Sequence, residues 1–198
     1  RILISKLVPE IRVAASTLNG RLEARKKLGI DSDSIVILNA GGAWKWTQFN
    51  EFLSAFASLP EAIASKFIIL QPALGNVDNK EHQEYHLETL HILKGMKSNI
   101  RNRVLIGDTW ELGKDGLKPY FQAADFGLNL NLETIENWQS YRVRMVEYLE
   151  NQLPCIVSKG SFWDQEDVGK GILFLGHNRD DFSNLFQELF NESKNLKI

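Results

Sequence analysis

The stretch Ser34-Ile35-Val36-Ile37-Leu38-Asn39-Ala40-Gly41-Gly42, residues 34–42, decides how this chain folds. Its short, uninterrupted apolar run is rich in β-branched residues, which is typical of a strand buried in a parallel sheet. The two glycines then mark a loop at the carboxyl end of that strand, where the backbone can approach a ligand closely. Further apolar runs of this kind follow, and helical segments separate them from one another.

This alternation predicts an α/β fold with a doubly wound, parallel, six-stranded, Rossmann-like sheet. The predicted strands are 34–40, 66–71, 103–106, 125–131, 153–158 and 172–175. The predicted helices are 17–28, 48–59, 80–97, 117–124, 140–150 and 180–193, with Thr47 as a cap and a short helix near Ser161. We expect residues 1–30 to be an interdomain leader with a helix, and residues 31–198 to form one domain.

Composition excludes several classes of protein. With 198 residues and a formal net charge of −2, the chain has no basic surface for nucleic acid. Cys155 is the only cysteine and lies in an apolar run, which predicts a buried structural thiol in a reducing, cytoplasmic compartment. No apolar run approaches the roughly 18 residues of a transmembrane segment. Because residue 1 is Arg rather than Met, we expect a piece of a longer protein.

The tryptophans indicate where a ligand binds. All five follow directly on predicted strands: Trp44, Trp46, Trp110, Trp138 and Trp163. In an alternating β/α chain these loops gather at the carboxyl edge of the sheet, where such folds bind their ligands. Large aromatic side chains bury poorly in loops unless they cover a ligand or a partner. The sequence therefore predicts a ligand cleft at this edge.

Familiar nucleotide and metal motifs are absent. The chain has no G-x-G-x-x-G pattern, and its second strand ends in Gln71-Pro72 without an acidic residue for a ribose, which argues against a nicotinamide dehydrogenase. The G-x-x-x-x-G-K-[ST] phosphate loop is also missing. His82 and His86 have metal-ligand spacing on one helix, but Gln83 replaces the glutamate of H-E-x-x-H, so a solvated helix face is the favoured interpretation.

The predicted helix from Ser140 has the residues of an anion site. A helix amino terminus offers unpaired N–H groups and a partial positive charge to a phosphate. Ser140, Arg144 and Glu147 fall on one stripe of this helix, and Arg142 lies near its start. The guanidinium groups suit a diphosphate, and the carboxylate suits a ribose diol. The alternative is a solvated ion pair between Arg144 and Glu147.

Several segments together resemble the donor-binding, C-terminal half of the GT-B glycosyltransferases of family 4, the group 1 glycosyltransferases. Residues 145–157, Met-Val-Glu-Tyr-Leu-Glu-Asn-Gln-Leu-Pro-Cys-Ile-Val, are similar to the segment that carries the family's second glutamate and its L-P-V-V strand. Residues 124–128 resemble its A-D-x-x-x strand, and residues 103–107 its V-x-F-x-G strand. By this resemblance Glu147 binds the nucleotide ribose.

Further segments resemble a bacterial subgroup from polysaccharide gene clusters. Its pattern is G-G-x-W-x-W after the first strand, then L-E-T, then S-[FY]-R-x-R. Residues 41–46, 132–134 and 140–144 fit these three parts, and the resemblance covers roughly residues 31–190. It adds to the site the residues of the first and third loops and of the helix start: Gly41, Gly42, Trp44, Lys45, Trp46, Thr109, Trp110, Ser140, Tyr141, Arg142 and Arg144.

Within that set, Trp44 and Trp46 either cover the sugar or anchor a partner domain, and Thr109 and Trp110 lie where the family holds the base. The chain departs from the family at two positions. Gln139 stands where the first acid of the usual pair belongs, with Glu133 or Glu136 as substitutes at another spacing, so no catalytic residue is assigned. Gly42 replaces the usual arginine, so we expect Arg142, Arg144 and Lys45 to neutralise the diphosphate.

The resemblance implies retaining transfer of a sugar from a nucleotide diphosphate to an acceptor hydroxyl, with no cofactor and no essential metal. The expected partners are the nucleotide-sugar donor and an N-terminal acceptor-binding domain of the same protein, without which this fragment should be inactive. Two alternatives remain open. One is a GT-B-like sugar-nucleotide epimerase, and the other is a non-catalytic α/β domain that binds a nucleotide or a protein.

Overall fold

A six-stranded parallel sheet forms the centre of the molecule. The computed structural model describes residues 18–74, 80–107, 113–135, 142–158, 172–175 and 178–195. The strands are β1 (Ile35–Leu38), β2 (Phe67–Gln71), β3 (Val104–Ile106), β4 (Phe126–Asn129), β5 (Cys155–Ser158) and β6 (Ile172–Leu175). They lie in the order β3-β2-β1-β4-β5-β6, and every neighbouring pair is parallel. The predicted doubly wound α/β fold is confirmed.

Helices cover both faces of this sheet. They are α1 (Leu18–Leu28), α2 (Phe49–Ala57), α3 (Glu61–Ala64), α4 (Lys80–Gly95), α5 (Ser98–Arg101), α6 (Gly113–Ala123), α7 (Val143–Glu150) and α8 (Arg179–Asn195). One core joins α2, α3, α4, α5 and α8 to the sheet, and in it the ring of Phe186 contacts those of Phe52 and Phe56. The second core joins α1, α6 and α7 to the opposite face. No helix in the described part of the chain has the length and apolarity to cross a membrane.

Helix α1 packs onto the same sheet as the rest of the chain, although the sequence boundary assigned it to a leader. Arg25 is only 2% exposed and donates hydrogen bonds to Ala123 O at 3.0 Å and to Asp125 Oδ2 at 2.7 Å. The same carboxylate accepts from the backbone N of Val36 in β1 at 2.8 Å. Gly29, with φ at +68°, ends the helix as its sequence predicts. Residues 1–17 lie outside the described residues.

Several predicted boundaries change in the structure. Helices α3 and α5 were not predicted, because each is a four-residue turn too short for an apolar period. Helix α6 begins earlier than predicted, at Gly113, and contains Pro119. The predicted cap at Thr47 is wrong: Thr47 lies in a 3-10 turn, and Gln48 in a left-handed conformation precedes α2 without a side-chain cap. Cys155 is buried, as predicted.

Candidate functional site

The candidate site lies where the order of the strands reverses. Strand β1 pairs with β2 on one side and with β4 on the other. The chain therefore continues from β2 toward one side of the sheet and from β4 toward the opposite side. Open α/β sheets bind ligands in the crevice at this switch point, outside the carboxyl ends of the strands. The loop after β1 and the amino end of α7, which follows β4, are the described segments that border it.

Arg144 occupies this switch point. It lies in the first turn of α7, and its Nη1 donates a hydrogen bond to Asn39 Oδ1 at 2.8 Å, just beyond the end of β1. The guanidinium covers Gly41: a Cβ atom on that glycine would fall 1.5 Å from Arg144 Nη2. Glycine at position 41 therefore makes room for an arginine of the protein itself, whereas the sequence interpretation assigned that room to a ligand.

The hydrogen-bond partner of the charged Arg144 side chain is a neutral amide, that of Asn39. Burial lowers the pKa of Arg144, an effect that Tyr148 and Glu147 oppose and that the neighbouring positive charge of Arg142 reinforces. A guanidinium nevertheless stays protonated in proteins. None of the ion pairs shown between described residues includes Arg144, so the solvated pair with Glu147 is not formed. The result is a partly buried positive charge at the mouth of the cleft.

The start of α7 differs from the prediction. The helix begins at Val143, and Arg142 before it is extended, with φ at −74° and ψ at 122°. A helix that continues from Ser140 into α7 is therefore wrong, because Arg142 is not helical, and Ser140 itself lies outside the described residues. Arg144 and Glu147 do lie one turn apart on α7, and Glu147 is half-buried. The backbone N–H groups of the first turn lie at the same edge as Arg144, and that of Met145 donates to Arg142 O at 3.0 Å.

Two tryptophans form a stacked pair in the loop after β1. The ring centroids of Trp44 and Trp46 are 5.6 Å apart and their planes differ by 18°. Thr47 fixes the turn between them, because its Oγ1 donates to Trp44 O at 2.6 Å and accepts from Trp44 N at 3.1 Å. Gly42 accommodates the inner indole, since a Cβ there would lie 2.6 Å from Trp44. Lys45 is exposed in the same turn.

A third ring joins this pair. His82 of α4 lies 4.0 Å from the Trp44 ring centroid and 5.9 Å from that of Trp46. The predicted solvated position is therefore wrong for His82, which packs against the indoles, and His86 on the same helix is half-buried. Among the described residues, no group of three or more histidine, cysteine, aspartate or glutamate side chains has the geometry to hold a metal ion.

A cavity of about 270 Å³ opens beside the outer indole. Its walls come from the loop after β1, the segment after β4 and the start of α7: Trp46, Asn131, Leu132, Thr134 and Arg142. The backbone N of Leu132 donates to Trp46 O at 2.8 Å and so ties two of these segments together. Trp46 is 42% exposed, which leaves its ring face available to a ligand.

The side chain of Tyr148 connects α7 to the two strands at the switch point. Its ring fills the space above Gly127, where a Cβ would lie 2.5 Å away. Its hydroxyl accepts a hydrogen bond from Ala40 N at 2.9 Å and lies 2.9 Å from Leu38 O and 3.0 Å from Leu128 O. One side chain therefore contacts the backbones of both β1 and β4, and burial raises its pKa above the usual range.

The structure brings together seven of the predicted site residues at one edge: Gly41, Gly42, Trp44, Lys45, Trp46, Arg142 and Arg144. Thr109, Trp110, Ser140 and Tyr141 lie outside the described residues, as do Glu136 and Gln139. Glu133 is described and exposed. Sequence reasoning missed Asn39, Gln71 and Tyr148, although a polar residue at the carboxyl end of an apolar run was a readable signal for the first two.

Known structures share this fold. HepE of Anabaena, determined in complex with UDP and glucose, matches with a TM-score of 0.64 and 13% identity over 90% of this chain and 44% of that one. WaaG, a glycosyltransferase involved in lipopolysaccharide biosynthesis, matches with a TM-score of 0.62 and 14% identity over 94% and 46%. A UDP-forming α,α-trehalose-phosphate synthase from Burkholderia xenovorans matches with a TM-score of 0.65 and 17% identity over 89% and 39%.

These likenesses show the fold. The expectation of a Rossmann-like half of a GT-B fold is thereby confirmed. The chain spans less than half the length of each of these three proteins. It matches no protein-family model and no curated protein.

Proposed function

We propose that this chain is the donor-binding domain of a retaining glycosyltransferase, which moves a sugar from a nucleotide diphosphate to an acceptor hydroxyl in polysaccharide synthesis. The observation that carries the proposal is the Arg144 guanidinium at the switch point, held over Gly41 by the neutral side chain of Asn39. Two of the proteins that share the fold were determined with a UDP compound bound, UDP with glucose in HepE and UDP-2-fluoro glucose in a trehalose-6-phosphate protein from E. coli.

In this proposal the diphosphate lies between Arg144 and the amino end of α7, whose partial positive charge attracts an anion. Arg142 and Lys45 border the same edge and add positive charge. Preorganised donors and cations of this kind stabilise the negative charge that develops on a leaving diphosphate, so the transfer needs no bound metal. Glu147, one turn farther along α7, accepts hydrogen bonds from the ribose hydroxyls.

The sugar belongs in the cavity beside Trp46 under this proposal. The exposed indole face offers an apolar platform, and Asn131, Thr134 and Arg142 line the cavity with hydrogen-bonding groups. Few polar groups in a mostly apolar cleft are the usual means of fixing a small ligand's orientation.

The acceptor enters from a second domain in this proposal. Two apolar residues that adjoin cavity-lining residues in the sequence are exposed, Ile135 after Thr134 at 79% and Val143 after Arg142 at 72%. Exposed apolar residues around a cleft are typical of surfaces that contact another protein or a ligand. The proteins that share the fold are more than twice as long as the matched region, which leaves room in them for a further domain.

Calorimetric titration of UDP, GDP and ADP, each with its nucleoside, tests the proposal. We expect one diphosphate to bind in the micromolar to millimolar range. Arg144→Ala should weaken diphosphate binding by about 10- to 100-fold, the usual value of a hydrogen bond to a charged group, and leave nucleoside binding unchanged. Equal losses for diphosphate and nucleoside would contradict the assigned role.

Arg103→Ala is the matched control. Arg103 precedes β3 at the opposite, amino edge of the sheet, where its Nη1 pairs with Asp31 at 3.4 Å. The Arg103→Ala substitution removes the same charge from the protein as Arg144→Ala does. Because Arg103 lies away from the cleft, we expect unchanged diphosphate affinity. If none of the three diphosphates binds the wild-type chain, the donor-binding function is refuted and a domain with a protein partner becomes the better account.

A further inference from the structure

A line of three hydrogen-bonded side chains runs beneath the cleft. Gln71, the last residue of β2, is fully buried, and Asn39, directly after β1, is 2% exposed. Gln71 Nε2 donates to Gly41 O at 2.6 Å and also to Ala73 O. Asn39 Nδ2 donates to Gln71 Oε1 at 2.6 Å, and Asn39 Oδ1 accepts from Arg144 at 2.8 Å.

The direction of every bond in this line follows from its first one. Backbone carbonyl oxygens only accept hydrogen bonds, so the two that face Gln71 require its NH₂ group. Its oxygen then points to Asn39 and requires the NH₂ group of that side chain in turn. Asn39 is left with its oxygen toward Arg144. Reversing either amide would place oxygen against oxygen or N–H against N–H in a buried site, which is costly.

The chain holds this arginine differently from three others whose ion pairs the structure describes. Arg21 and Arg25 share the carboxylate of Asp125, and Arg103 binds that of Asp31. In those contacts a carboxylate offsets positive charge, all of it for Arg103 and one of the two charges for Arg21 and Arg25. The amide of Asn39 fixes the position of the Arg144 guanidinium without cancelling its charge.

We propose that Asn39 and Gln71 are positioning residues of the anion site, which orient Arg144 through a fixed pair of neutral amides and leave its full charge for the phosphates of the ligand. This inference rests on the proposed function, since it takes the ligand to be a nucleoside diphosphate. Asn39 bonds to Arg144 and Gln71 bonds to Asn39, so both amides act on the ligand through the arginine.

Asn39→Asp tests both parts of the proposal, the neutral partner and the fixed amide pair. The carboxylate has the same shape and still accepts a bond from Arg144, but it neutralises the guanidinium and replaces the NH₂ group that donates to Gln71 Oε1. We expect it to weaken binding of the preferred diphosphate among UDP, GDP and ADP by roughly tenfold or more, with nucleoside binding unchanged, because a close charge pair competes with the ligand. Diphosphate affinity equal to or above that of the wild type would overturn the proposal.

Asn50→Asp is the matched control for burial. Asn50 is 3% exposed, and its amide bonds to Glu88 Oε2 at 3.0 Å and Thr89 Oγ1 at 2.6 Å on α4 rather than to Arg144. We expect this variant to lose stability, measured by thermal unfolding, and to keep the wild-type ratio of diphosphate to nucleoside affinity. A selective loss of diphosphate binding in this control would show that any buried carboxylate has the effect, and so would also overturn the proposal.

Gln71→Met provides an independent variant, because it frees Asn39 to turn its NH₂ group toward Arg144. The same selective loss of diphosphate affinity is expected, and unchanged affinity contradicts the positioning role. Different results would refute the proposed function and the role of the two amides. A wild-type chain that binds no diphosphate refutes the proposed function, whereas selective loss in Arg144→Ala with none in Asn39→Asp or Gln71→Met refutes only the role of the amides.

Discussion

Replacing Tyr148 by Phe removes one oxygen atom from the point where β1, β4 and α7 meet. That oxygen accepts from Ala40 N and lies within hydrogen-bond distance of Leu38 O and Leu128 O. The ring itself stays, so the space above Gly127 remains filled and no cavity forms. The substitution therefore isolates the hydrogen bonds from the packing of the same side chain.

The cost follows from the groups left behind. The N–H of Ala40 loses the partner that the structure shows for it, and an unsatisfied donor of this kind costs about 1–3 kcal/mol. The lost hydroxyl-to-carbonyl bond adds about 1 kcal/mol. We expect Tyr148→Phe to lower the free energy of unfolding by about 2–4 kcal/mol, which corresponds to a Tm lower by about 4–16 °C in a domain of this size.

Urea denaturation and thermal unfolding measure this change, with Tyr120→Phe as the control. Tyr120 lies half-buried on α6, so the same atom is removed from a less buried ring. We expect the control to change the free energy of unfolding by no more than about 0.5 kcal/mol, as is usual away from buried networks. The reasoning is refuted if Tyr148→Phe destabilises the chain no more than Tyr120→Phe does.

Two further predictions concern the cleft and the core. Gly41→Ala puts a methyl group where the Arg144 guanidinium lies, so diphosphate affinity measured by titration should fall by roughly tenfold, whereas Gly95→Ala, with open space around its Cβ, should leave it unchanged. Burial raises the pKa of Cys155 to about 12, so the stability from this thiol is complete below its unfolded pKa near 8.5 and is lost as the pH rises toward 12. Between pH 8 and 9.5 the wild type should lose about 1 kcal/mol more than Cys155→Ala in chemical denaturation, and equal losses would exclude this thiol as the cause.

The strands were predictable because each carries its signal within a few neighbouring residues. Ile35–Leu38 is apolar throughout and Phe67–Gln71 is apolar up to its last residue, and burial on both faces of a parallel sheet requires that pattern. Helices α3 and α5 were not predictable in the same way, since one turn has no period to detect. The packing of α1 on the sheet depends on Arg25 and Asp125, which are 100 residues apart and look like ordinary surface charges in the sequence.

The site was predictable as a place but not as a set of contacts. The carboxyl edge follows from the alternation of strands and helices alone, and Arg144 and Trp46 lie there. The partner of Gly41 did not follow, because Arg144 reaches it only after β1 and β4 have paired. The bond between Asn39 and Gln71 depends on the register of two strands, which the sequence does not state.

The sheet consists of two halves that meet where β1 pairs with β4. One half contains β1, β2 and β3, and the other contains β4, β5 and β6. Arg144 and Tyr148 belong to the second half and bond to the first across this seam. A ligand bound to Arg144 therefore stabilises the contact between the two halves. At a concentration one hundred times its Kd it should add about 2.7 kcal/mol to the work of unfolding, so heat and denaturant should separate the halves less readily in its presence.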